Sequence, residues 1–411
     1  MQRNYLRNIS WTGAAEIGVR VTRLFATAVL ARFLTENDYG LAALVLSVNE
    51  LLVVFTRNGI VDRLVQLRNP RQVDELIPTA FSLSLVLSLL LCLGSVVAAA
   101  VMVRVYQQEA LFWPIVCISV GYLFIPFSVV PTSLIMIDNQ LKPLSLTVLV
   151  SIGTDNMLSA LLAYQGFGLW AIVLPKILIT PIWPLMLYRF RPWPIPKRLS
   201  FTNSRILIGF SSKILGSELL TTFQSNLDYL LIGLLLSTAQ LGLYYFAFNA
   251  GLGFSLALIS TLMPAFYTDL CEARQGGQDM AHVFRRNLRI VMKIFIPFVL
   301  LQVVVAPLYV PILFGQRWVE DGAVPVLQLI CLSALSRPFA VAVTSLVRAI
   351  DRPRLDLQYQ VVLTVVLVIG VLAGARYGIL GVAAAVCAAH WLVQGIYYLW
   401  ASRRLLAAPA S

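Results

Sequence analysis

Glu16, Arg20 and Arg23 interrupt an otherwise apolar stretch, and their spacings of four and seven place all three on one helix face. Glu16 precedes Arg20 in the order that favours pairing along a helix. A second polar stripe runs through Lys213, Ser217, Thr221, Gln224 and Asp228, with Glu218 beside it. Glu50, Arg57, Asp155, Lys176, Lys293 and Arg337 also stand inside apolar runs. A charge at the centre of a membrane helix costs about 2.5–3.5 kcal/mol on insertion scales, so each needs a partner or a wet cavity. Charge pairing that fixes helix packing answers for some of them, and Lys293 and Arg57 can snorkel to headgroups. The cluster that remains suits a multiply charged anion such as phosphate or pyrophosphate, because guanidinium donates two parallel hydrogen bonds to such oxygens. The candidate substrate-binding residues are therefore Arg20, Arg23, Lys213, Arg337 and Lys176. The candidate coupling carboxylates are Glu16, Glu218, Asp228, Asp155 and Glu50, since burial raises the cost of their charged form and makes protonation a usable switch.

No catalytic set accompanies these charges. The five cysteines are scattered without a CxxC pair, and the two histidines, His282 and His390, stand apart, so neither a metal site nor a disulfide is expected. No GxxxxGK[ST] loop is present to bind a nucleotide, and no cofactor is expected.

The elements that must carry such charges are membrane helices. Of 411 residues, 59% are hydrophobic and 12% charged, a composition outside the range of soluble domains. Apolar runs long enough to cross about 30 Å of hydrocarbon follow one another almost end to end. They predict twelve spans, at roughly 11–33, 38–61, 76–103, 111–136, 144–165, 169–188, 206–234, 239–266, 290–312, 323–347, 357–375 and 379–401. The first runs on past residue 30 with charges inside it, which predicts an uncleaved helix rather than a signal peptide. With both termini cytoplasmic, twenty Lys and Arg residues fall in inner segments and four, Arg32, Arg104, Arg317 and Arg376, in outer ones, as the positive-inside rule requires. The net charge of +12 is thus mostly a topology signal, spread over segments that flank the spans, and no nucleic-acid surface is expected. The fold class is an all-α polytopic membrane protein.

The chain also repeats. "LARFLTENDYGLAAL" at 30–44 matches "LIGLLLSTAQLGLYY" at 231–245 when shifted by 202 positions, with Thr35 on Ser237 and Gly40 on Gly242. At an offset of 213, "IDNQLKPL" at 137–144 meets "IDRPRLDL" at 350–357. Pro114 and Pro126 have near-counterparts in Pro325 and Pro338. Six spans on each side of the Pro-rich segment "RFRPWPIPKRLSFTNSR" predict an amino-terminal lobe, 1–190, a cytoplasmic linker, 191–205, and a carboxy-terminal lobe, 206–411. Halves that begin on the same membrane side are parallel repeats, and two such bundles create a central cleft suited to alternating access.

On "LARFLTENDYGLAALVLSV", "NLDYLLIGLLLSTAQLGLYYFAFNA" and "STLMPAFY", the chain resembles the Wzx-type polysaccharide flippases of the MATE-like multidrug/oligosaccharidyl-lipid/polysaccharide exporter superfamily. The resemblance covers essentially the whole chain. It implies a flippase rather than an enzyme, moving an undecaprenyl-diphosphate-linked oligosaccharide across the bacterial inner membrane through a cationic lumen, for O-antigen, capsule or exopolysaccharide assembly. Its implied partners are the lipid-linked oligosaccharide, membrane lipids, a proton or sodium ion for coupling and a polysaccharide polymerase. The family's lumen cations carry over onto Arg20, Arg23 and Lys213. The alternative is a cation-coupled small-molecule exporter of the same fold, which calls for an acidic, aromatic-lined pocket, whereas intramembrane cations here outnumber anions by seven to five.

Overall fold

The computed structural model describes the backbone of residues 2–56, 59–67, 70–196 and 198–405, and the side chains there except at 2–10, 12, 70, 210, 212–214, 217, 254, 257 and 353. Arg57 and the side chain of Lys213 lie outside the described residues. The described residues form helices and turns with no strand. Backbone polar groups that face lipid must be satisfied within their own segment, and helices do this.

The chain divides into two compact units, Met1–Asn226 and Leu227–Ser411. The first holds α1 (Gln2–Phe33), α2 (Glu36–Val53), α3 (Ile60–Gln66), α4 (Pro70–Tyr106), α5 (Phe112–Ser119), α6 (Pro126–Ile137), α7 (Leu141–Tyr164), α8 (Trp170–Ile179), α9 (Ile182–Phe190) and most of α10 (Ser204–Leu235). The second begins inside α10 and adds α11 (Thr238–Ala247), α12 (Gly253–Gln275), α13 (Met280–Tyr309), α14 (Arg317–Glu320), α15 (Ala323–Ala334), α16 (Arg337–Ala349), α17 (Pro353–Gly374) and α18 (Gly378–Arg404). The Pro-rich segment 191–205 lies on the first unit's side of that division.

Among the described residues seven helical stretches are long and apolar enough to cross a membrane, and a pair bent by 46° at Ile125 makes an eighth. The protein is therefore a multi-pass membrane protein. α1 and α10, each 32 residues long, are not among the eight. They carry Glu16, Arg20 and Arg23, and Glu218, Thr221, Gln224 and Asp228, polar groups that the sequence singles out.

The repeated joint has the same local geometry in both units. Thr35 caps α2: its side chain accepts from the Asp38 N–H while Asp38 accepts from the Thr35 N–H, a reciprocal capping box. Ser237, 202 positions later, caps α11 by accepting from the Gln240 N–H. Further along, the left-handed residues Asn139 (φ 52°) and Gly166 (φ 82°) answer Asp351 (φ 58°) and Gly378 (φ 71°). These pairs are 212 positions apart, one fewer than the offset read from residue types. At that same spacing Pro126 opens α6 and Pro338 opens α16. Each interrupts a span, because proline lacks the N–H that would continue the helix. Side chains from neighbouring helices donate to backbone carbonyls near these breaks: Cys92 Sγ to Ser119 O at 3.2 Å, and Trp391 Nε1 to Leu332 O at 3.2 Å.

Candidate functional site

α1 packs along α7 through small residues. Ala15 and Ala26 are buried, Leu149 presses on Gly18, and Asn156 Nδ2 donates to Thr22 Oγ1 at 3.0 Å. Residues 15, 18, 22 and 26 form one stripe of the helix. Between residues 16 and 25 the sides of α1 turned away from that stripe are open, and they carry Glu16, Arg20 and Arg23 together with Ile17, Val21 and Phe25, which are 66, 61 and 54% exposed. Glu16 and Arg20 lie 3.9 Å apart, the i to i+4 pair read from the sequence. Arg23 is exposed on that open side. α1 thus presents guanidinium groups and large apolar side chains side by side.

Behind α1 lies a second charge pair. Lys176 Nζ on α8 donates to Asp155 Oδ2 on α7 at 3.1 Å, with side-chain exposures of 34% and 13%. Asp155 Oδ1 is buried without a hydrogen bond among the described residues. Asp155 precedes Asn156, so this pair stands one residue from the contact with Thr22 on α1. A residue placed for substrate and one placed for coupling are here each other's partner. Glu50 on α2 is half-buried, one residue from Asn49, whose side-chain oxygen accepts from Tyr122 OH at 2.9 Å. Glu218 is half-buried on α10.

The second unit holds Asp228 and Arg337. Asp228 Oδ2 accepts from Tyr244 OH at 2.8 Å and Oδ1 from the Tyr229 N–H at 2.9 Å. Arg337 stands where α16 restarts after its break, with Nε buried and without a hydrogen bond among the described residues. Its guanidinium lies within electrostatic range of Asp228 and of the phenols of Tyr229, Tyr244 and Tyr359. Two charges separated by more than one hundred residues in sequence thus share one aromatic-walled interior. His390 is also buried there and its Nδ1 lies 2.9 Å from Val386 O, a packed histidine as its apolar setting predicts.

Comparison with known proteins adds the family. The profile of the polysaccharide biosynthesis proteins matches residues 29–323, more than half of the chain. The chain belongs to that family. It is 20% identical over 392 residues to the lipopolysaccharide biosynthesis protein WzxC of Escherichia coli strain K12, covering 93% of this chain and 77% of the relative. It is 25% identical over 339 residues to the succinoglycan biosynthesis transport protein ExoT of Rhizobium meliloti strain 1021, covering 80% of this chain and 65% of the relative. In fold it is similar to the lipid II flippase MurJ in an inward closed conformation, with a TM-score of 0.77, 12% identity, and coverage of 95% of this chain and 87% of MurJ. The inward-facing multidrug resistance MATE transporter of the MOP superfamily also gives a TM-score of 0.77, at 14% identity with 94% of each chain covered.

In this polysaccharide biosynthesis protein the charged residues and the Glu16–Arg20 pair are legible in the sequence, and the partners on neighbouring helices are not. In the sequence Tyr244 stands out only as part of the repeated joint, and Asn156 and Tyr122 do not stand out. A polar or phenolic group opposite a charge on a neighbouring span is the signal, but using it requires knowing which helices touch. Tyr244 lies 16 residues beyond Asp228 across the α10–α11 joint, close enough for that hairpin to have suggested the contact.

Proposed function

We propose that this protein is a flippase, not an enzyme, that carries a polyprenyl-diphosphate-linked oligosaccharide across the bacterial inner membrane by alternating access, for polysaccharide assembly. The observation that carries this reading is the open face of α1. A helix facing only hydrocarbon would not expose Glu16, Arg20 and Arg23. One facing only water would gain nothing from exposing Ile17, Val21 and Phe25. A lipid diphosphate presents both chemistries at one end, with an anionic pyrophosphate joined to an isoprenoid chain. Arg20 and Arg23 are assigned to the pyrophosphate, with Lys213 as a third cation. The names of WzxC, ExoT and MurJ support the same substrate class. Outward positive charge on α1 runs against the alternative of a cation exporter.

In this reading both termini are cytoplasmic, the 191–205 linker joins the lobes 1–190 and 206–411, and a polysaccharide polymerase receives the product. Lys176 is paired with Asp155, and Arg337 lies within electrostatic range of Asp228, so these two cations are assigned to internal charge networks and the α1 cations to substrate. Glu218 and Glu50 are the remaining coupling carboxylates, for a proton or a sodium ion, alongside Glu16.

A strain lacking the protein should accumulate lipid-linked glycan in the cytoplasmic leaflet. Restoring the wild-type chain should clear it. The Arg20→Gln/Arg23→Gln/Lys213→Gln variant should reach the membrane yet leave the glycan inside, and Arg20→Lys should rescue in part, since it keeps charge but loses the bidentate fork. Full export by the triple variant would remove these cations from the substrate path.

A further inference from the structure

The transport reading leaves the basic segment at 280–293 without a role. It folds as the first turns of α13, capped by Asp279, whose carboxylate accepts from the Ala281 N–H at 2.8 Å. Val283, Phe284, Asn287, Leu288 and Val291 are buried against the unit. On the opposite side Arg285, Arg289 and Lys293 are exposed, four residues apart, in one line along the helix. None of the three is ion-paired among the described residues. Arg286 differs, lying 3.9 Å from Asp269, a carboxylate that also accepts from Asn287 Nδ2 at 2.7 Å.

The same line continues through Ile296, Leu300 and Val304, which are 38, 44 and 71% exposed. A spanning helix with large aliphatic groups on its open side turns that side to hydrocarbon. The three cations therefore stand below lipid tails and not below a protein-lined path. Residues 285 to 293 rise about 12 Å along the axis, and a headgroup layer is about 5–7 Å thick on each side of the hydrocarbon. The ladder accordingly runs from the hydrocarbon edge through the headgroups into water. Snorkelling accounts for one such cation, Lys293; two arginines following it on the lipid side match the phosphates of the headgroups themselves.

We propose that Arg285, Arg289 and Lys293 form a binding site for the phosphodiester headgroup of an anionic phospholipid, on the membrane face where the basic segments gather. The site is separate from the cations assigned to the transported lipid. Its test is native mass spectrometry of the detergent-purified full chain titrated with phosphatidylglycerol or phosphatidylcholine. The wild type should retain phosphatidylglycerol in preference, and the preference should fall about fivefold for each of the three residues replaced by Gln. Arg289→Lys should keep most of it, and Arg403→Gln/Arg404→Gln, which removes two basic residues elsewhere, should leave it unchanged. Should the triple Gln variant not fold, Arg289→Gln alone must still lower the preference. An undiminished preference in the Gln variants would overturn the site. So would retention of a lipid diphosphate without any preference for phosphatidylglycerol, which would return the ladder to the substrate path.

Discussion

Asp155 and Lys176 illustrate how a charge is tolerated inside a spanning bundle. Their 3.1 Å contact supplies each with its counter-ion, and the Lys176 backbone carbonyl is itself occupied by Thr180 Oγ1 at 2.6 Å. Removing one partner leaves the other desolvated without compensation, which in a fully buried pair costs about 3–5 kcal/mol. Lys176 is one-third exposed, so a loss of about 1–3 kcal/mol is expected for Asp155→Asn or Lys176→Met. The double variant should lose less than the two single losses combined, because the interaction is counted twice in that sum. Thermal unfolding of the purified variants checks this, and additive losses would show that the contact contributes nothing. Asp228 follows a related rule with a different partner set, its two oxygens taken by a phenol and a backbone N–H while Arg337 balances the charge from further away. The Asp155–Lys176 partnership is not visible as spacing, because the two residues pair across helices whose rotation is set by tertiary packing.

At the scale of elements, the repeated joint and the broken spans were legible because their chemistry is local. Thr35 with Asp38, and Ser237 with Gln240, are capping residues at capping spacing, and both caps form. Pro126 and Pro338 punctuate their spans as proline must. The register of the later match was less legible. Leu, Ala and Gly align at several neighbouring offsets, and only the left-handed turns at Asn139 and Asp351, and at Gly166 and Gly378, fix the spacing at 212 instead of 213. Continuity of the apolar runs predicts spans at α1 and α10, and neither is among the stretches long and apolar enough to cross a membrane among the described residues. If the breaks at Pro126 and Pro338 act as hinges, Pro126→Ala/Pro338→Ala should fold with a stability change of about 1 kcal/mol or less and export glycan more slowly. Export at the wild-type rate would make the breaks features of packing alone.

For the molecule as a whole, the proposed topology makes a direct prediction about sidedness. In a cysteine-free background, a single cysteine at Gln316 should react with an impermeant thiol reagent added from the periplasm, and one at Gln275 should not. These positions stand near opposite ends of α13, which runs from Met280 to Tyr309 and is long enough to separate the two aqueous faces. Reaction at Gln275 from outside would invert the assignment and, with it, the leaflet that the basic ladder faces. The central claim is lipid-linked glycan transport, and it is tested most directly with the purified protein in liposomes that contain the lipid-linked oligosaccharide. A membrane-impermeant glycosidase added outside should cleave about half of the glycan in protein-free vesicles, since only the outer leaflet is accessible. With this protein present, the accessible fraction should rise toward completeness, and the Arg20→Gln/Arg23→Gln/Lys213→Gln variant should hold it near half. A fraction that stays at the protein-free level with the wild-type chain would contradict the account.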